Sequence, residues 1–480
     1  MKNGFLKIIV FILSALMINF SFISCNTDDD ENETIIPETW EAKSGIFTLS
    51  ADIEDGGVAV NDAKDAESSW LASFSSNNNE VLDPGIIADI TGGTLNPIPS
   101  NDVTSNLANY PATWFENVSY KGAFGTENWA KNWTLLGTEF MSGSNNTILA
   151  SESDTITDNG NGTGTVTWVK SKTYILNGLV FVNNGQILTI EAGTVIKGMP
   201  GQGENASALI IARGGKIIAE GNESEPIIFT SIDDDLKGSV STFARGSWGG
   251  IIILGKAQLN SSPGETAIEG IPTDEPRGIY GGNDNNDDSG ILKYVSIRHG
   301  GTDIGEGNEI NGLTLGGVGN QTVIEFIEVI SNKDDGIEFF GGTPQIKHIV
   351  VAFCADDSFD YDEGFCGKGQ FWFAIQDHDE GDRIGEHDGG TDPENGTPYA
   401  TPEIYNATYI GRGADAGKRI ITFRDNAGGT YANSIFLSQT KGIDIELLAS
   451  GECSYKRFQV QQLIVKNNIF YNVAENIIAE

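Results

Sequence analysis

The chain has 480 residues and carries 29 Lys+Arg against 67 Asp+Glu, a formal charge of −38. A surface this negative repels phosphate backbones, which argues against nucleic acid as a partner and suits divalent cations or cationic ligands. Sixty glycines, 14 prolines and 39% hydrophobic residues exclude a disordered chain and point to a core folded around many tight turns.

Residues 1–24 read as a signal peptide. Lys2 and Lys7 form a basic start, and Ile8 to Phe22 an apolar run that is short for a membrane span. Phe22-Ile23-Ser24-Cys25 resembles a bacterial lipobox, which implies acylation of Cys25 after cleavage. Three acyl chains hold a protein firmly where one alone is marginal. Residues 25–44 follow as an acidic tether. Its start, Asn26-Thr27-Asp28-Asp29-Asp30-Glu31-Asn32-Glu33, resembles the export signal behind the lipid cysteine of Bacteroidota surface lipoproteins. The expected address is the cell outer membrane, lipid-anchored and exposed at the cell surface.

Residues 45–141 hold Trp70, Trp114, Trp129 and Trp133, and 142–172 read as a polar linker. From 173 to 480 the pattern changes to short β-branched runs separated by Gly, Asn and Asp, such as LTIEAGTVIKG (188–198) and WGGIIILGKAQL (248–259). The blocks DDGIEFFGG (334–342) and DDSFDYDEG (356–364) repeat at an offset of 22, as do Ile327-Glu328-Val329 and Ile349-Val350-Val351. Gly193 and Gly215 share that spacing, and Asn311 to Leu315 precedes the first block by 24. A period near 22 built from strands of three to five residues predicts one coil of a right-handed parallel β-helix, an all-β solenoid.

TYILNGLVFVNNGQILTIEAGTVIKG, GSWGGIIILGKA, DDGIEFFGG, DDSFDYDEG and EHDGGTDPENGTP together resemble the exported, pectin-lyase-like β-helix lipoproteins of Bacteroidota. The resemblance implies fold and surface location, and no reaction. In such relatives a stretch like 81–140 closes the stack after its last coil, whereas here it precedes the first. The expectation is a permuted order in which 45–141 fold back to cap the C-terminal coil.

Two constellations carry chemistry. Asp334, Asp335 and Glu338 fall one coil from Asp356, Asp357, Asp360 and Asp362, so the carboxylates become vertical neighbours. Three fates follow: turn capping, a Ca²⁺ site built from Asp334, Asp335, Asp356, Asp357, Asp360 and Asp362, or paired-carboxylate catalysis by Asp335, Asp356 and Asp357. Lys418-Arg419-Ile420 faintly echoes the basic triplet of polygalacturonase-type helices, while Arg298-His299-Gly300-Gly301 lacks a glycine before its histidine. Arg298 and Arg424 are candidate bases for a lyase. The second constellation is 377–388, where His378 and His387 with Asp379 or Asp388 form a candidate metal site or a solvated acidic loop.

Phe339, Phe340, Phe359, Tyr361, Phe371, Trp372 and Phe373 surround the acids. Exposed, Tyr361 and Trp372 would stack on sugar; buried, they are core. Cys354, Cys366 and Cys453 allow at most one disulfide, Cys354–Cys366 being one candidate pair. The functional expectation is a non-catalytic binder of polysaccharide, stabilised by Ca²⁺. A polysaccharide lyase or glycoside hydrolase is the alternative, and an adhesin or structural protein a third. A raised carboxylate pair with a base within ~5 Å would favour the enzyme.

Overall fold

The computed structural model describes residues 39–41, 45–52, 57–145, 147–305, 308–390 and 393–474. The signal peptide, Cys25 and most of the tether lie outside the described residues. No described helix is long and apolar enough to cross a membrane.

Three parallel faces wind about one core, and the chain is a parallel β-helix. The first face includes Val166–Trp168, Ile187–Ile190 and Lys216–Glu220; the second includes Lys172–Leu176, Val195–Gly198 and Ile227–Ser231. These two faces share one 18-stranded sheet. The third face stacks nine strands from Leu179–Val182 to Lys441–Leu447. Each strand alternates its side chains, so Leu315, Phe339, Tyr361 and Phe423 point inward while the residues between them point out.

Register follows the predicted spacing in the middle of the stack. Ile337 pairs with Phe359 and Ile327 with Ile349, both 22 apart, and Leu313 pairs with Ile337, 24 apart. The Gly193–Gly215 spacing is not a register: Val195 pairs with Thr173 and Ile228, while Lys216 pairs with Ile187. A loop of variable length between strands changes the period without changing the stack.

The corner joining the first two faces needs a left-handed residue. Tyr294, Phe326, His348 and Phe371 occupy it at φ between 50° and 60°. That conformation costs a residue with a Cβ roughly 1–2 kcal/mol. Ring stacking up the column, with centroids 4.3, 4.3 and 4.8 Å apart, opposes the cost. In later coils Asn406, Asn433 and Asn467 take the corner, a residue type that tolerates it.

The N-terminal segment divides in two. Phe47–Asp52 adds a parallel strand to Lys441–Leu447, and helix α1 (Val60–Ser76) packs Trp70 and Phe74 against Phe47, Phe458 and Phe470. Glu80–Val81 then pairs with Ile469–Val473. Residues 82–145, in contrast, do not lie on that end. They run as a strap down the outer wall of the second face toward the first coil. Asn106 meets Asn467, Tyr110 meets Asn406, Glu116 meets Gln370, and helix α2 (Leu135–Phe140) meets Glu328. Leu95, Phe124 and Leu136 seal the strap on Val350, Phe373 and Ile435. Within the expected linker, Glu152–Ile156 pairs with Lys172–Leu176, so the stack opens about twenty residues before 173. The early tryptophans are shared out: Trp70 on the buried side of α1, Trp114, Trp129 and Trp133 in the strap, and Trp168 in the core of the first coil.

Candidate functional site

Three columns of polar side chains line the third face and the corner that enters it. At the corner stand Asn311, Asp335, Asp357 and Arg383, each one coil above the last. Asp335 Oδ1 accepts the N–H of Asp357 at 2.8 Å, and Asp357 Oδ1 accepts the N–H of Arg383. These two buried carboxylates therefore clamp consecutive coils, which is the turn-capping role. Gly336 keeps the corner open, since a Cβ there would lie 2.6 Å from the Ser358 carbonyl oxygen.

The second column is Thr314, Glu338, Asp360, Glu386, Thr422 and Asp444. The third carries Asp362, then Asp388 paired with Arg424, then Glu446. Glu386 and Asp388 belong to a strand, Gly385–Asp388, and not to a projecting loop. The signal for them was the pattern acid–ring–acid, shared by Asp360-Tyr361-Asp362 and Glu386-His387-Asp388. A four-residue lengthening of the preceding turn, from 22 to 26, hides the match.

Burial and crowding hold the acids protonated more strongly than usual. Asp335, Glu338, Asp357 and Asp360 are all pushed well up, first by burial and then by neighbouring carboxylates. Burial also raises Asp388 to about 6, against the pull of Arg424, and raises the exposed-rim Asp356. Four overlapping groups bring oxygens within 4.8 Å: Asp334–Asp335–Asp356, Asp335–Glu338–Asp360, Asp356–Asp357–Asp382 and Asp357–Asp360–Glu386. Asp360 Oδ1 is buried without a hydrogen bond among the described residues. Asp362, expected in the metal set, falls outside these groups and lies in the third column.

The cations beside the row are engaged. Arg383 Nη1 lies 2.9 Å from Glu386, 3.2 Å from Asp382 and 3.9 Å from Asp357. Arg424 meets Glu386 at 2.8 Å and Asp388 at 2.6 Å, while Lys418 meets Asp382 at 2.9 Å and Arg419 sits 3.7 Å from Asp444. Arg298 ends a strand of the second face, Gly290–Arg298, and not of the third.

Several expectations need correction. His387 is fully buried, stacked 4.0 Å from Tyr361 with Nε2 2.8 Å from the Tyr431 hydroxyl, and burial pushes it down to about 3. It points into the core because it occupies the inward position of its strand. His378 is exposed and bonded to Asp377 and Asp379, so the two histidines form no common site. Tyr361 and Trp372 are core residues: Tyr361 donates to the Gly428 carbonyl, and Trp372 packs between Phe339 and Phe359. Neither offers a ring to a sugar. Asp335 and Asp357 are buried with Oδ1 of each on a backbone amide, leaving Asp356 as the one solvent-exposed member of the proposed catalytic trio. All three remaining cysteines are unpaired.

Residues 160–480 match the model of the pectate-lyase-like β-helix domain, and the chain belongs to that family. No curated protein and no solved structure matches it. A pectate-lyase-like helix fits a role connected with polysaccharide.

Proposed function

We propose that the protein is a lipid-anchored component of the cell outer membrane, held through Cys25, that binds polysaccharide on its third face without cleaving it. The observation that carries this is the row of carboxylates on the third face between 334 and 446, in which each neighbouring Arg or Lys among the described residues is already tied to an acid. The half-buried Asp362, Glu386 and Asp388 offer acceptors to sugar hydroxyls, and among the described residues no cation beside the row is left over to serve as a base. A divalent cation such as Ca²⁺, taken up by Asp335, Glu338 and Asp360, would relieve the like charges and bridge to acidic sugars. Asp360 Oδ1, which has no hydrogen-bond partner among the described residues, supports that reading.

Hydrolysis or elimination is the second reading, favoured by Asp388 at about 6 beside Arg424 and by Arg383 3.9 Å from Asp357. The test takes residues 26–480, with and without Ca²⁺, against acidic and neutral polysaccharides. It follows retention, new reducing ends and unsaturated products together. Retention without turnover is the expected result. Product release abolished in Asp388→Asn would make the protein an enzyme, and silence in every channel would leave adhesion or structure.

A further inference from the structure

A cavity lies between the strap and the second face, away from the residues of the acidic row. It encloses about 630 Å³, within the range of small-ligand sites. Thr138 and Glu139 of the strap form one wall, Asp234 and Thr242 of the loop after Ile227–Ser231 another, and Arg298 and His299 the floor.

The floor is built to leave donors free. Glu328 spends both carboxylate oxygens on the backbone N–H groups of Leu135 and Leu136, at 2.8 and 2.9 Å, and accepts the Ser296 hydroxyl at 2.5 Å. Ser296 Oγ in turn receives Arg298 Nε at 2.8 Å. That bond fixes the guanidinium on a residue 4% exposed, while Nη1 and Nη2 make no hydrogen bond or ion pair among the described residues. Glu328 is the acid that acts most strongly on Arg298, and Asp234 in the wall is engaged by the Thr230 hydroxyl at 2.7 Å and the Leu236 N–H at 2.8 Å. His299 Nδ1 lies 2.7 Å from the Ala244 carbonyl, which only accepts, so the proton sits on Nδ1 and Nε2 is left an acceptor. Burial holds this ring neutral.

We propose that this cavity binds a small hydroxy-carboxylate, such as a uronate sugar or a hydroxy acid. The forked N–H pair of Arg298 takes the carboxylate and His299 Nε2 accepts the hydroxyl. A planar guanidinium matches a carboxylate through two parallel bonds. Lys237 in the same wall adds to the attraction for an anion, while Glu139 and Asp234 oppose a second negative charge on it. The site is separate from the acidic row and needs no metal ion.

The test is calorimetric titration of residues 26–480 in chelator with sodium D-galacturonate, sodium lactate and neutral D-galactose. The expected result is one site for an acid, at least tenfold tighter than for galactose. Galacturonate alone would show that the ring is read, and lactate as well that the hydroxy-carboxylate unit suffices. Arg298→Gln is expected to weaken binding at least tenfold with unchanged melting. Should that variant fail to fold, Thr138→Trp, which fills the cavity from the strap side, decides in its place. Acids that bind no better than galactose, or folded variants that bind as the parent does, overturn the proposal.

Discussion

At the scale of residues, one carboxylate column does two opposed things. Asp335 and Asp357 fasten the coil above through its amide, yet stand among Asp360, Glu338 and Glu386, whose charges oppose one another. Replacing Asp357 by Asn keeps an acceptor for the Arg383 N–H and removes a charge; replacing it by Ala orphans that N–H. Leaving a buried donor unsatisfied costs about 1–3 kcal/mol. In chelator at pH 8, Asp357→Asn is therefore expected to match or exceed the parent in denaturant unfolding, and Asp357→Ala to fall below the Asn variant by that amount. Equal loss in both variants would mean that the charge itself is required, and would defeat the clamp. These corner acids were legible as a repeated Asp-Asp pair. That their oxygens face the next coil, and not solvent, was not, because a one-dimensional repeat carries no direction.

At the scale of elements, the C-terminal edge of the third face would end on the bare N–H and C=O groups of Lys441–Leu447, and such an edge invites pairing with other chains. Phe47–Asp52 supplies the missing strand, and α1 covers the aromatic end with Trp70, fully buried and stacked 4.2 Å from Phe47. Trp70→Ala is expected to cost about 3–5 kcal/mol, read by denaturant unfolding. Deleting 45–81 should expose Phe436 and Phe470 and drive self-association in size-exclusion chromatography. A truncated protein that stays monomeric with unchanged melting would rule the cap out. The sequence pointed to 45–141 as one capping unit, but covering an end takes one strand and one helix. The rest is a strap because strand Glu152–Ile156, at the other end of the stack, must be reached.

At the scale of the whole molecule, buried acids set how stability depends on pH. Burial lifts Glu363 and Glu446 to about 7 and Asp388 to about 6, all above their unfolded values. The native state then binds more protons than the unfolded chain across the interval from roughly pH 4 to 7, so its stability falls as pH rises through that window. In chelator the melting temperature is expected to be higher at pH 5.5 than at pH 8, and Glu363→Gln to flatten the difference. A melting temperature that climbs with pH would contradict the burial of these acids. Added Ca²⁺ at pH 8 should recover part of the loss if the row takes up the ion.

By itself the sequence determined the solenoid, because β-branched runs of three to five residues at a spacing of 22 bury their apolar faces in no other way than by stacking. It determined the family likeness and the acid-rich coils for the same reason. Only the tertiary structure decided which acids face water, that His387, Tyr361 and Trp372 fill the core, and that Arg298 and His299 floor a cavity beneath a strap some 160 residues earlier in the chain. Inward and outward positions alternate with a period of two, and variable turns between strands shift that phase. The strap's path depends on contacts between residues more than 150 positions apart, which no local pattern records.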